Sequence, residues 1–348
     1  MFRKIMRTVL ILVLMTTMTA CASSAEDTAA SDSGSTDKDR IQIGMTFDSF
    51  IIERWERDRD IFVSTAKDLG ADVNVQNANG DIEEQKKQIE YLIKKKMDVI
   101  VIIAVDSSSL TDEVRKAKDA GIKVIAYDRM ITDADEDLYI SFNNETVGRF
   151  MADTIIKAMP EGGKIIKING PAKDNNVAMV NNGFDKEIRN HGITVMDTYY
   201  ASEWKGEEAF NYLTDNPDKV AKAGAIMCGN DSLAGQAIKY LSEQRLAGKI
   251  AVVGQDADLD ACQRIVEGTQ TMTVYKPIEK LAKKAAECAV ELAKGETLAE
   301  AGTNYSTISD GKNKIPYVSI EPVSVTRDNI DSVIIDSGFH LREDVYLK

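Results

Sequence analysis

Asp256 and Lys276 are residues whose types and setting could do chemistry together. Asp256 lies in GQDAD, directly after the apolar run Lys249–Gly254; Lys276 follows the alternating run Thr271–Tyr275 and precedes Pro277. A short apolar run closed by glycine reads as a buried strand, and alternation stopped by proline reads as another. Both polar side chains therefore stand at the carboxyl ends of strands, where open α/β sheets take their ligands. A carboxylate accepts hydrogen bonds and an ammonium donates them, so the two can grip neutral hydroxyl groups.

The same placement recurs along the chain. Asp48, then Arg54 and Trp55, follow the strand-like Ile41–Phe47, and Asp128 and Arg129 follow Ile122–Tyr127. Asn169, Asp174, Asn175 and Asn176 come after Lys164–Ile168, Trp204 after Val195–Tyr200, and Asn230 and Asp231 after Ala225–Cys228. This mix suits a sugar. Guanidinium, amide and carboxylate groups make paired bonds to adjacent hydroxyls, and indole offers a flat face to the C–H side of a ring. Each residue also has a plainer reading. Asn175, Asn176, Asn230 and Asp231 suit helix N-caps, Asp128 and Arg129 a loop cap, the tryptophans a core, and Lys276 a solvated turn. The shared edge, more than any single residue, favours a ligand.

The elements that must hold this edge alternate between strand and helix. Glu53–Leu69 places Trp55, Phe62, Ala66 and Leu69 on one stripe; Ile82–Met97 repeats apolar residues at helical spacing. Asp98–Val105 is continuously apolar, as a central parallel strand covered on both faces must be. The cycle restarts at the predicted helix Asn144–Met159 and runs to the amphipathic helix Ile278–Lys294; Leu298–Lys348 is irregular by its pattern. Strands alternating with helices imply βαβ units and parallel sheets, and two matching runs imply two similar lobes.

Composition narrows the function. The formal charge of −13 argues against nucleic acid as a partner, since phosphate contacts need a basic surface. Two His, four Cys and no Cys-x-x-Cys pair leave little for a metal site, and no cofactor motif occurs. No nucleophile elbow, Walker loop, dinucleotide fingerprint or His-Glu-x-x-His is present, so no catalytic residue is assigned. Asp256 and Asp258 are too close on one loop to flank a glycosidic bond. His191 and His340 read as surface residues, and Cys262 and Cys288 as buried helix fillers, with no obligatory disulfide.

The first residues form a separate object. Arg3, Lys4 and Arg7 precede the apolar Val9–Met15, and Met18–Thr19–Ala20 lead to Cys21. This reads as a signal segment over 1–20, resembling that of bacterial lipoproteins, in which the cysteine carries lipid. Residues 21–40 are Ser-, Asp- and Ala-rich without apolar period, as expected of a disordered tether.

Ile52–Val63 (IERWERDRDIFV), Val75–Gly80 (VQNANG), Ile125–Asp135 (IAYDRMITDAD), Tyr139–Gly148 (YISFNNETVG), GQDADL, GTQTMTVYKP and Asp336–His340 (DSGFH) closely resemble bacterial D-xylose-binding proteins of sugar ABC transporters. The resemblance covers roughly residues 41 to 343. It implies an α/β protein of the type I periplasmic-binding fold: two Rossmann-like lobes with parallel sheets, joined by a three-segment hinge. The N-terminal lobe would comprise 41–146 plus 278–320, and the C-terminal lobe 147–277 plus 321–348. By motif position Arg54, Trp55, Asp128 and Arg129 would bind the sugar from the first lobe. Asn176, Trp204, Asn230 and Asp256 would bind it from the second, with Lys276 at the hinge. The implied ligand is D-xylose or a similar aldopyranose, bound without cofactor or metal. The implied setting is extracytoplasmic, lipid-anchored through Cys21, beside an ABC permease; a membrane sensor kinase is the alternative partner.

Overall fold

The computed structural model describes residues Arg40–Leu347. The signal segment, Cys21 and nearly all of the tether lie outside the described residues.

The chain first runs β1 (Ile41–Phe47), α1 (Arg54–Asp68), β2 (Ala71–Asn77), α2 (Ile82–Lys94), β3 (Val99–Ile102), α3 (Thr111–Asp119), β4 (Lys123–Tyr127) and β5 (Leu138–Phe142). It continues through α4 (Asn144–Ala158), β6 (Gly163–Asn169), α5 (Asn175–Ile188), β7 (Ile193–Tyr200), α6 (Glu207–Asp215), α7 (Pro217–Val220) and β8 (Ala225–Cys228). Then come α8 (Asp231–Glu243), β9 (Ala251–Val253), α9 (Leu259–Glu267), β10 (Thr273–Tyr275) and α10 (Ile278–Ala293). The last part holds β11 (Ser306–Ser309), β12 (Lys314–Ile320), β13 (Val323–Val325), a π-helical turn at Asp331–Ile335 and α11 (Arg342–Tyr346).

These strands build two main sheets. The first has seven strands in the order β11-β12-β5-β4-β3-β1-β2, parallel except for the β11–β12 hairpin. The second has four parallel strands, β7-β6-β8-β9. The antiparallel pair β10–β13 continues its edge through a bridge between Val253 and Met272. The backbone passes from one sheet system to the other after β5, after β10 and after β12. All four residues of β3 are buried, as helices on both faces of a parallel sheet require.

Packing follows the sequence pattern with one departure on α1. Trp55, Phe62 and Ala66 are buried in one core with Leu281, Ala285 and Ala289 of α10. Leu69, expected on the same stripe, caps the helix and is 42% exposed. In the second layer α4 crosses α5 backbone to backbone. A Cβ on Gly148 would lie 1.9 Å from the Val180 carbonyl oxygen, and one on Gly183 would lie 2.0 Å from that of Glu145. This crossing brings the first turns of the two helices together, Asn144 against Asn176. The region after Leu298, irregular by its pattern, supplies three strands. Pro316 breaks the local signal in β12, yet it sits opposite Thr307 on the hairpin side, while β12 pairs with the sequence-distant β5. His340 also departs from expectation. It is half-buried, with Nε2 2.8 Å from the Ala257 carbonyl oxygen and its ring against Phe339.

Candidate functional site

The carboxyl ends of β1, β4, β6 and β9 point into a common space between the two sheets. A cavity of ≈ 310 Å³ there is lined from the first sheet by Arg54, Trp55, Asp128 and Arg129. From the second come Asp174, Asn176, Trp204, Gln255 and Asp256, with Lys276 at a crossover.

Asp128 shows how the backbone aims these groups. It follows β4 with φ 62°, a left-handed conformation that a non-glycine residue holds only when tied down. Its N–H donates to the Ile140 carbonyl at 2.8 Å, and its own carbonyl accepts from Ser141 Oγ at 2.6 Å and from Tyr139 Oη at 3.1 Å. So fixed, its carboxylate meets Arg54 Nη2 at 3.0 Å and accepts from Asn176 Nδ2 at 2.8 Å. Asn176 is oriented in turn by Asn144, whose Nδ2 donates to Asn176 Oδ1 at 2.9 Å. Burial pushes the Asp128 carboxyl up, but Arg54, Lys276 and Arg129 together outweigh it and hold it below its ordinary value. It stays ionised.

The two arginines are each held from several sides. Arg54 makes a bidentate pair with Asp58 through Nε at 3.0 Å and Nη2 at 2.9 Å, one helical turn on, and lies over the Trp55 ring at 4.4 Å. Tyr127 Oη donates to the same Asp58 carboxylate. Arg129 meets Asp48 at 2.7 Å, Asp174 at 2.8 Å and the Ala104 carbonyl at 3.0 Å. Asp48 belongs to the first sheet's loops and Asp174 to the second's, so Arg129 ties the two together. Burial raises Asp48 above its ordinary value, against the pull of Arg129. On the far side Lys276 Nζ stands 3.2 Å from Asp256 Oδ1.

Trp204 forms a wall. Its Nε1 donates to Asp174 Oδ2 at 3.2 Å, and its ring rests on Gly170, where a Cβ would lie 2.3 Å from the nearest ring carbon. Trp55, in the first turn of α1, supplies a second indole and is buried.

The cavity's ionic groups are paired across it, while individual polar atoms are left over. Trp55 Nε1, Arg129 Nη2 and Gln255 Oε1 are buried without a hydrogen-bond partner among the described residues. Asp128 Oδ2 and Asp256 Oδ1 face their cations at ion-pair distance without an aligned hydrogen bond. Buried polar atoms are almost always satisfied, so a cluster of spare donors and acceptors in one cavity marks a place for a partner with both. Paired charges with spare donors and acceptors suit a neutral polyol better than an ion.

Eight of the nine expected site residues line this cavity. Asn230 does not: its side chain caps α8, accepting from the Leu233 N–H at 2.9 Å, and it borders a neighbouring hollow of ≈ 930 Å³ instead. Of the two adjacent asparagines Asn176 faces the cavity, whereas Asn175 turns toward Met130. Asp174 and Gln255 line it as well, although the motif positions do not single them out. Asp174 is readable as an N-cap, accepting from the Asn176 N–H at 3.0 Å, and its second oxygen is what reaches Arg129 and Trp204.

Comparison with known proteins agrees with this geometry. Residues 43–297 match the family described as periplasmic binding protein domain. The D-xylose-binding periplasmic protein of Haemophilus influenzae is 44% identical over 314 residues, covering 88% of this chain and 92% of that protein. The D-xylose-binding periplasmic protein of Escherichia coli is 43% identical over 88% of this chain and 92% of its own. Among solved structures, an ABC transporter solute binding protein from Clostridium phytofermentans with bound β-D-glucose superposes with a TM-score of 0.78 at 25% identity. It covers 87% of this chain and 99% of that one.

Proposed function

The chain belongs to the periplasmic binding protein domain family, and from that premise we propose that it is an extracytoplasmic receptor for D-xylose that closes on the sugar and delivers it to a membrane ABC transporter. The observation that carries this reading is the charge-paired cavity, built from both sheets and walled by two indoles. The names and identities of the xylose-binding relatives support the choice of sugar.

In this reading Arg54, Trp55, Asp128 and Arg129 hold the sugar from the first lobe, Asn176, Trp204 and Asp256 from the second, and Lys276 from the hinge. The carboxylates accept from the sugar's hydroxyls, the asparagine accepts or donates, and the cations donate. The indoles cover the apolar faces of the ring. Sugar contacts to both lobes coexist only when the lobes are together, so the ligand biases the closed form by its differential affinity for it. A membrane partner then reads the closed shape. No bond is made or broken in this cycle; the protein acts as a binding protein and not an enzyme. Cys21 at the end of the signal-like segment supports a lipid anchor, which replacement of Cys21 by Ser would release into the soluble fraction.

Isothermal titration of the mature protein with D-xylose tests the central claim. Saturable one-site binding is expected, and an absence of binding refutes it.

A further inference from the structure

Asp231 opens α8 behind the loop that carries Asp256, and it is 1% exposed. Its carboxylate faces that loop. Oδ2 accepts from the Asp258 N–H at 3.2 Å and from Thr273 Oγ1 at 2.6 Å, while Thr273 Oγ1 itself accepts from the Ala257 N–H at 3.1 Å. Oδ1 accepts from Gln270 Nε2 at 2.7 Å. The orientation of that amide is fixed from behind, because Arg264 Nε donates to Gln270 Oε1 at 3.0 Å. Gly254 makes room for the arrangement: a Cβ there would lie 2.2 Å from Asp231 Oδ1.

The loop so tied is strained. Asp256 has φ 99° and Ala257 φ 57°, conformations that non-glycine residues keep only when their surroundings enforce them. The N–H groups of the two residues after Asp256 both end on the Asp231–Thr273 pair. We propose that Asp231 is a positioning residue for sugar binding, which in its ionised form holds the 255–258 loop in the left-handed conformation that aims Asp256 into the cavity. This rests on the assignment of Asp256 to the sugar.

The Asp258 N–H, the Thr273 hydroxyl and the Gln270 amide N–H all donate to the carboxylate, so a proton added to it would weaken or displace one of these bonds and loosen the loop. The charged and titratable groups facing it are Arg264 from α9 and Asp256 and Asp258 from the loop; burial and the acidic neighbours Asp231, Asp256 and Glu53 raise the Asp258 carboxyl as well, so Asp231 and Asp258 share the acid-side titration. The Cys228 and Cys262 thiols, from β8 and α9, are pushed up by burial and stay neutral; β10 and the turn before it contribute the neutral Thr273 and Gln270. Burial raises the Asp231 carboxyl well above its ordinary value, with the bond from Thr273 and the charge of Arg264 opposing. Loosening therefore sets in nearer neutrality than for an exposed aspartate.

The test is calorimetric titration with D-xylose for wild type, Asp231→Asn and Thr273→Val between about pH 5 and pH 8, the span in which a carboxyl raised by burial titrates. Thermal melts at each pH confirm that the variants fold. Wild-type affinity is expected to fall on the acid side, by at most roughly tenfold per pH unit for one linked proton. Asp231→Asn replaces an acceptor oxygen by an amide N–H, so it should bind roughly tenfold or more weakly even at the alkaline end, with a pH slope shallower than wild type because only Asp258 of the pair still titrates. Thr273→Val should bind more weakly and keep the slope. A folded Asp231→Asn with the wild-type Kd, or with the wild-type pH slope, overturns the positioning role while leaving the sugar reading intact. Wild type that takes up no D-xylose at any pH overturns the sugar reading and this proposal with it.

Discussion

Replacing Asp256 by Asn removes one charge from the cavity and little else. Asparagine has nearly the volume of aspartate and is among the few residues that tolerate positive φ, which matters at φ 99°. An alanine there would mix backbone strain with the loss of the carboxylate. Asp256 Oδ1 stands 3.2 Å from Lys276 Nζ and lacks an aligned hydrogen bond, so a lone pair is open to a hydroxyl. Lys276 does not lose its last counter-ion in the variant, because Asp128 is close enough to feel its charge. The loss is therefore chiefly that of a charge-assisted acceptor, on the scale of about 1.5–3 kcal/mol. That corresponds to a Kd for D-xylose raised roughly 10- to 150-fold.

Titration calorimetry at fixed pH and salt measures this directly. Asp260→Asn serves as the control, since Asp260 is exposed in the first turn of α9 and off the cavity lining. A folded Asp256→Asn whose Kd stays within about twofold of wild type would show that the sugar does not use this carboxylate. The convergence of the two sheets on one ligand would then lose its second-sheet anchor. Equal weakening by Asp260→Asn would point instead to the general field of the acidic surface.

Three further outcomes are expected. Gly170→Ala sets a methyl against the Trp204 ring and should tilt it off the cavity wall, weakening D-xylose binding and shifting tryptophan fluorescence while the melting temperature stays near wild type; unchanged fluorescence and affinity would refute the platform role. Arg54→Ala strands the buried Asp58 and Asp128 carboxylates and should cost about 3–5 kcal/mol of stability in denaturant unfolding, so its binding defect is inseparable from its folding defect; a melt like wild type would contradict the clamp. Burial pushes Glu136 up to about 7, and its Oε2 has no partner among the described residues. A carboxyl raised on folding stabilises the fold while it is protonated, and that contribution is lost as pH rises from the ordinary range through about 7. Glu136→Gln should accordingly raise the melting temperature above neutrality and leave it little changed in mild acid; the reverse pattern would refute the assignment.

The site was largely legible because a parallel sheet announces its own edge. β3 and β4 are buried apolar runs, so the polar residue that ends such a run must lie at the rim, and Asp128 and Arg129 could be placed there by pattern alone. What pattern cannot supply is the direction of a side chain after the strand stops. Asn230 and Asp256 follow neighbouring strands of one sheet and read alike, yet the first turns back to cap α8 and the second turns into the cavity. The difference lies in the backbone, since Asn230 is extended at φ −154° and Asp256 is left-handed. Asp174 reads as a rim residue from the sequence, but its partners do not: only the fold reveals that one oxygen caps α5 and the other reaches Arg129 and Trp204.

Those same pairings bear on how a clamshell of this kind can work. Arg129–Asp174 and Asp128–Asn176 join the first sheet's loops to the second's through protein atoms alone. The closed arrangement is therefore partly self-satisfied, and its charges stay neutralised with or without a sugar. A buried charge stripped of its partner would cost several kcal/mol, which would make closing conditional on a ligand of complementary charge. With the charges already matched, what remains for the ligand is the set of spare donors and acceptors and the faces of two indoles. A neutral polyol can meet those without bringing or removing charge, and the affinity then rests on hydrogen-bond geometry, in which the left-handed Asp128 and Asp256 are the fixed points.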